Sequence, residues 1–268
     1  MITSAQNAKV KLARTLLGRP KERREANTFV AEGVRLVEQA VISNWVIQFA
    51  LYDETLNERG QSQVESLKSR GIEVEMVSAQ LMKSLSETES PQGILAVLQF
   101  SNSPIPNSLN FVLIPDQIRD PGNLGALLRS AHAAGVDAVL LPPETTDAFA
   151  PKVLRAGMGA HFHLSIHEMT WDEIAQLTKK ENLQILLADM NGQPCWGTDL
   201  RPPLALIIGG EAEGASDDAR KLATQSISIP MAGRAESLNA AAAGSVLMFE
   251  VVRQRSVASN QSSVISNQ

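Results

Sequence analysis

Three stretches of this 268-residue chain place polar side chains where they could hold a ligand and act on it. In the first, PDQIRDPGNLGALLRSAHAAG, Pro121, Gly122 and Asn123 turn the chain from a strand into a helix that presents Arg129 six residues on. Asn123 at a helix start reads either as a cap for backbone N–H groups or as an amide that orients a ligand. Arg129 stands among Leu127, Leu128 and Ala131, and a guanidinium in an apolar stretch calls for an anionic partner. In the second, IIGGEAEGAS, Gly209, Gly210 and Gly214 surround Glu211 directly after an apolar run, so the backbone there can approach a ligand closely. The spacing is neither GxGxxG nor GxxxxGKS and no lysine follows, which leaves ATP binding unsupported. In the third, SIPMAGRAESLNAAAAG, Ser237 and Asn239 open an Ala-rich helix. Either alone is an ordinary cap, but two in one turn after a glycine-containing loop exceed what capping requires.

All three stretches follow apolar runs, and in open parallel sheets the carboxyl ends of strands are where ligands bind. From residue 111 the pattern reads FVLIP, a helix over GNLGALLRSAHAA, VDAVLLP, a helix near 148–157, a strand at HFHLSI, a helix around 171–180, then strands QILLAD, LALIIGG and SISIP. Continuous rather than alternating apolar character predicts a mostly parallel sheet buried on both faces. The helix NAAAAGSVLMFEVVRQR closes this domain, with basic residues in its last turn where they suit the helix dipole. Before residue 100, FVAEG, WVIQFALY, IEVEMV and GILAVLQF alternate with helical stretches at 34–43, 56–70 and 78–86, a second and smaller α/β pattern. The division expected is therefore 1–100, a linker at 101–110 rich in Ser, Pro and Asn, a domain at 111–254, and a polar, disordered tail at 255–268.

Charge is unevenly distributed. Residues 1–24 hold Lys9, Lys11, Arg14, Arg19, Lys21, Arg23 and Arg24 against Glu22 alone, a net +6 that leaves −11 for the rest of a chain totalling −5. Such an arm is either a solvated helix face or a surface that tracks phosphates. Tyr52 is the sole tyrosine and aromatics are 4% of residues, so any nucleic-acid partner is expected to be read by phosphate, shape and, in RNA, 2′-OH rather than on an aromatic stacking platform. Cys195 is the single cysteine, which excludes an intramolecular disulfide and any cysteine-rich zinc site. No export signal and no apolar run long enough for a bilayer span is present, so no membrane is expected and the cytoplasm is the expected compartment.

In order and spacing, the three stretches resemble the SpoU, or TrmH-like, group of SPOUT-superfamily RNA ribose methyltransferases. The first family motif falls on Asn123, Arg129 and Gly135, the second on Gly209, Glu211 and Gly214, and the third on Ile229, Pro230, Met231 and then Ser237, Leu238, Asn239. ITSAQNAKVK, FVAEGVRLVEQA and SPQGILAV look like the family's N-terminal substrate-binding domain. Two departures stand out: Gly210 and Ala212 flank Glu211 where the family often has Asn and Gly, and Gly157 replaces a frequent small polar residue.

The resemblance implies an α/β/α domain with a deep trefoil knot and a smaller N-terminal α/β RNA-binding domain. It implies S-adenosylmethionine held by Gly209, Gly210, Ile229, Met231 and Leu238, with Ala188 near the adenine or ribose. The implied reaction is methylation of a ribose 2′-OH, in ribosomal rather than transfer RNA, without a metal. Arg129 is implied to activate the hydroxyl, with Asn123, Ser237 and Asn239 orienting ribose, phosphate and the methionine moiety, and Glu211 fixing the loop or a nearby arginine. Lys11, Arg23, Arg24 and Arg155 are the expected RNA-binding residues. A C2 homodimer is implied, in which Arg129 can serve the opposite subunit.

Other readings fit the residues less well. His161, His163 and His167 could suggest a metal, but the first two fit one face of a strand and no cysteine or acidic cluster accompanies them. A Ser237–His167 hydrolase lacks a nucleophile elbow, and a dehydrogenase lacks both GxGxxG and the ribose-binding acid. The alternative from another class is a catalytically silent RNA-binding or ribosome-assembly protein on the same scaffold.

Overall fold

The computed structural model describes residues 1–88, 90–100, 104–211, 214–234 and 236–265, the last eight as backbone. In chain order the first elements are α1 (Ala8–Gly18), α2 (Pro20–Ala26), β1 (Thr28–Glu32), α3 (Val34–Ile42), β2 (Ile47–Tyr52), α4 (Glu58–Ser69), β3 (Glu73–Met76), α5 (Ala79–Leu85) and β4 (Ile94–Gln99). There follow β5 (Phe111–Pro115), α6 (Pro121–Ala133), β6 (Ala138–Leu141), α7 (Pro151–Gly157), β7 (Ser165–Glu168) and α8 (Trp171–Lys180). The last are β8 (Gln184–Pro194), β9 (Leu204–Ile208), α9 (Asp217–Leu222), β10 (Gln225–Ser228) and α10 (Ala240–Ile265). No helix among the described residues is long and apolar enough to cross a membrane.

Two compact units result, Met1–Ser103 with Asp147–His163, and Pro104–Thr146 with Leu164–Gln268. The first unit holds a four-stranded sheet in the order β1-β4-β2-β3, antiparallel except for the β2–β3 pair. Its two faces alternate along β1 and β4. Phe29, Ala31, Ile94, Ala96 and Leu98 pack with apolar residues of α3 and α4, while Val30, Leu95 and Val97 pack with those of α1 and α5. Burying each large side chain of this kind stabilises the unit by roughly 1.5–3 kcal/mol.

The segment Asp147–His163 joins this unit although the sequence pattern assigns it to the domain at 111–254. The reason is local chemistry. Phe149 and Phe162 stack around Phe29 at 4.8 and 6.4 Å between ring centroids, and Leu154 is buried in the same core. Arg23, 2% exposed, binds Asp147 through Nε and an Nη at 2.9 and 2.6 Å. Residues 160–162 form a 3₁₀ turn and the strand starts only at Ser165, so His161 and His163 do not share a strand face as expected. His161 is buried, its Nε2 2.8 Å from the Ala148 carbonyl, and burial lowers its pKa to about 4. It is therefore a neutral core histidine.

The second unit holds a six-stranded sheet, parallel throughout, in the order β10-β8-β9-β5-β6-β7. β5 and β9 are fully buried, as their unbroken apolar runs require. Pro115 of β5, Ile208 of β9 and Ala188 of β8 lie in register, so β5 and β9 end level beside Ala188, while β8 runs on to Pro194. α10 packs along α6, and there Gly244 leaves no room for a Cβ against Leu127, while Ser130 and Ser245 hydroxyls bond at 2.7 Å. The described backbone stays helical to Ile265, where the sequence suggests a disordered tail from 255; no Gly or Pro between Ser245 and Ile265 interrupts it. Residues 266–268 of that tail, and 101–103 of the expected linker, lie outside the described residues.

Candidate active site

Asp120, not Asn123, caps α6. Its carboxylate accepts the Asn123 backbone N–H at 2.9 Å, and Pro121 takes the first helical position, where a missing N–H costs nothing. The Asn123 side chain is thereby free for other work. Its Nδ2 donates to Glu211 Oε1, and its Oδ1 accepts from Asn239 Nδ2 at 3.0 Å. Asn239 caps α10, its Oδ1 accepting from the N–H groups of Ala241 and Ala242 at 2.9 and 3.2 Å. The three loops singled out by sequence thus meet in one hydrogen-bonded chain.

Both amides in this chain have a forced orientation. A carboxylate only accepts, so Asn123 must turn Nδ2 toward Glu211; helix N–H groups only donate, so Asn239 must keep Oδ1 for α10. Each amide then retains one N–H for an oxygen of a bound ligand. Among the described residues Arg129 has no hydrogen-bond or ion-pair partner, and it is exposed. Six residues along a helix place it about 9 Å from Asn123 along the axis and roughly 120° around it, so the two side chains face different ways.

The glycines of the second loop are demanded by space. A Cβ on Gly209 would lie 2.6 Å from the Ala215 nitrogen, and one on Gly210 2.6 Å from the Gln117 carbonyl oxygen. Gly210 and Gly214 form an antiparallel bridge across the loop that carries Glu211. Ala188 and Ile229 are half-buried, Met231 and Leu238 are each 39% exposed, and Ser237 is exposed. Asp116, unnoticed in the sequence, directly follows β5 and is 0% exposed. Its Oδ2 accepts the Ser216 N–H at 2.6 Å and, among the described residues, its Oδ1 has no partner. Burial raises its pKa, the Ser216 bonds oppose this, and Glu144 and Asp218 add to the rise. An acidic residue directly after an unbroken apolar strand is the signal that could have flagged it.

The four expected RNA-binding residues lie in the first unit and differ in exposure. Lys11 and Arg24 are exposed on α1 and α2. Arg23 is spent on Asp147 and on the Leu16 carbonyl, so the expectation of a phosphate contact is corrected to a buried internal pin. Arg155 is partly buried and pairs with Glu32 and Glu87, each at 3.3 Å, so its charge is already matched within the unit. Among the described residues no cluster of His, Cys, Asp or Glu is suited to a metal.

The SpoU rRNA Methylase family matches residues 110–249, and the MRM3-like substrate binding domain matches residues 7–96. The 23S rRNA (guanosine(2553)-2′-O)-methyltransferase RlmP of Bacillus subtilis (strain 168) is 34% identical over 251 residues, covering 93% of this chain and 98% of its own. Among solved structures, the SpoU methyltransferase AviRb of Streptomyces viridochromogenes in complex with AdoMet superposes with a TM-score of 0.83 at 28% identity, over 93% of this chain and 99% of that one. An AdoMet-bound rRNA methyltransferase of Sinorhizobium meliloti gives a TM-score of 0.83 at 30% identity, over 94% and 97%. The three meeting loops fall inside the matched span, and the chain belongs to the SpoU rRNA methylase family.

Proposed function

We propose that this chain is an S-adenosylmethionine-dependent enzyme that methylates a ribose 2′-OH in ribosomal RNA. The observation that carries the reading is the Asn239–Asn123–Glu211 chain, which joins the three loops of a SpoU methylase while Arg129 on the same α6 keeps its charge free. Ribosomal RNA as substrate is supported by the named relative. The cytoplasm is the proposed compartment. Incubation with labelled S-adenosylmethionine and bulk RNA should place label in the ribosomal fraction, and label confined to transfer RNA contradicts that choice.

The residues fit the cofactor. β5 and β9 end in register at Pro115 and Ile208 beside Ala188 of β8, and Gly209 and Gly210 present bare backbone just beyond, where groups of a nucleoside can hydrogen-bond. Ile229, Met231 and Leu238 supply apolar side chains to cover it. S-adenosylmethionine, when bound, supplies a methyl group activated by the adjoining sulfonium. The spare N–H groups of Asn123 and Asn239, with the Ser237 hydroxyl, orient the ribose, phosphate and methionine oxygens. Glu211 holds Asn123 in the donating orientation. Arg129 cannot act as a general base, because a guanidinium offers only hydrogen-bond donors and no lone pair to accept a proton. It clamps the adjacent phosphate and stabilises charge developing on the 2′-oxygen, while the proton leaves to a phosphate oxygen or water.

Two architectural readings belong to the same proposal. The segments 209–216 and 229–239 cross as a deep trefoil knot. Support comes from the order of the sheet, in which β9 lies between β8 and β5. Pulling the chain from its termini should then stop short of the full contour length; complete extension contradicts a knot. The protein is also proposed to be a C2 homodimer. α10 leaves Val246, Phe249 and Val257 37–48% exposed at helical spacing, an apolar stripe in want of a partner, and Arg129 faces away from its own Asn123.

RNA is proposed to meet the first unit through Lys11 and Arg24. Removing one cation that neutralises a phosphate should lower the slope of log affinity against log salt by about one. Lys11→Ala and Arg24→Ala are expected to weaken binding to any structured RNA in this way, measured by filter binding across salt concentrations. Binding indifferent to salt contradicts the assignment.

A further inference from the structure

We propose that Asp116 is a positioning residue, whose buried carboxylate anchors the loop carrying Glu211 so that Glu211 reaches Asn123. This rests on the functional reading above and assigns a part that reading leaves unassigned. Asp116 is tied at two points to the chain around that loop. Its N–H donates to the Ile208 carbonyl at 2.8 Å where the loop begins, and its Oδ2 accepts from Ser216 at 2.6 Å where the loop ends. Between these points the path is tight, since an added Cβ on Gly209 meets Ala215 and one on Gly210 meets Gln117, the neighbour of Asp116. The Gly210–Gly214 bridge ties the two ends together, so fixing them fixes Glu211, next to Gly210, where it engages Asn123. Ser216 in turn caps α9, so its N–H has no partner within that helix, and a buried N–H without an acceptor is costly. Among the described residues the other carboxylate oxygen has no partner, so the Ser216 bond is what offsets the burial of this group.

The test measures two things on the full chain: hydrogen exchange at the Ser216 amide without cofactor, and binding of S-adenosylhomocysteine by calorimetry. Asp116→Ala should lose Ser216 protection and weaken binding about tenfold or more, while Asp116→Asn, which keeps an acceptor oxygen, should restore binding to within about threefold of the parent. A folded Asp116→Ala protein with unchanged Ser216 exchange overturns the anchor, as does an Asn variant as weak as the Ala variant. Should Asp116→Ala fail to fold, Ser216→Pro removes the donor instead, at a backbone φ of −64° that proline adopts. It is expected to weaken binding to the same extent, and unaltered binding overturns the proposal. Absence of S-adenosylhomocysteine binding by the parent protein sinks the functional reading instead, and the exchange measurement still decides the anchor.

Discussion

Arg129→Ala is expected to lower kcat for RNA methylation by about two to three orders of magnitude while leaving S-adenosylhomocysteine binding within about twofold, the size of loss seen when a charge-stabilising donor is removed. Fold stability should not change, because the side chain is exposed and partnerless among the described residues. Arg129→Lys should rescue little, since an ammonium cannot make the planar two-pronged contact with a phosphate; near-normal rate in that variant sinks the clamp. The orientation of Arg129 away from Asn123 adds a sharper expectation. In a mixture of Arg129→Ala and Asn123→Ala chains, mixed dimers assemble one intact site from two defective subunits, so activity should recover to about a quarter of the parent's. No recovery on mixing, with dimers verified by sedimentation, would place the whole site in one subunit.

Gly209→Ala is expected to weaken S-adenosylhomocysteine binding tenfold or more. The added methyl would sit 2.6 Å from the Ala215 nitrogen and 2.7 Å from the Gly214 carbonyl carbon, and both obstacles are backbone. A flexible side chain could swing aside, but here the loop itself must open, taking Glu211 with it. The accompanying strain should cost about 1–3 kcal/mol and lower Tm by roughly 2–12 °C, read by calorimetry and thermal melting. Undiminished binding by a folded variant would mean that this loop does not shape the cofactor site.

The parts legible in the sequence were those written in local patterns. FVLIP and LALII read as buried strands because all of their residues are apolar and all are buried. Asn123, Glu211 and Asn239 could be singled out by type and position, but their partnership spans 88 and 116 residues and depends on which strands lie side by side. That order, with β9 inserted beside β5, is a long-range property that no local period encodes. The same limit hid the affiliation of Asp147–His163, whose fate is decided by an aromatic cluster around Phe29 and an ion pair with Arg23 far back in the chain. Composition misled at one point: a basic run suggested that Arg23 faces RNA, whereas its register on α2 turns it inward. Asp116 was overlooked because a single acid after a strand looks like a turn residue until its burial is known.

The central claim is the chemistry at the ribose. Incubation of the purified protein with S-adenosylmethionine carrying a trideuterated methyl group and unmodified ribosomal RNA, followed by digestion to nucleosides and mass spectrometry, tests it most directly. The account predicts the heavy methyl on the ribose of a 2′-O-methyl nucleoside. A heavy methyl on a base would contradict the ribose chemistry, and no transfer despite RNA binding would make the protein a silent RNA-binding member of its family.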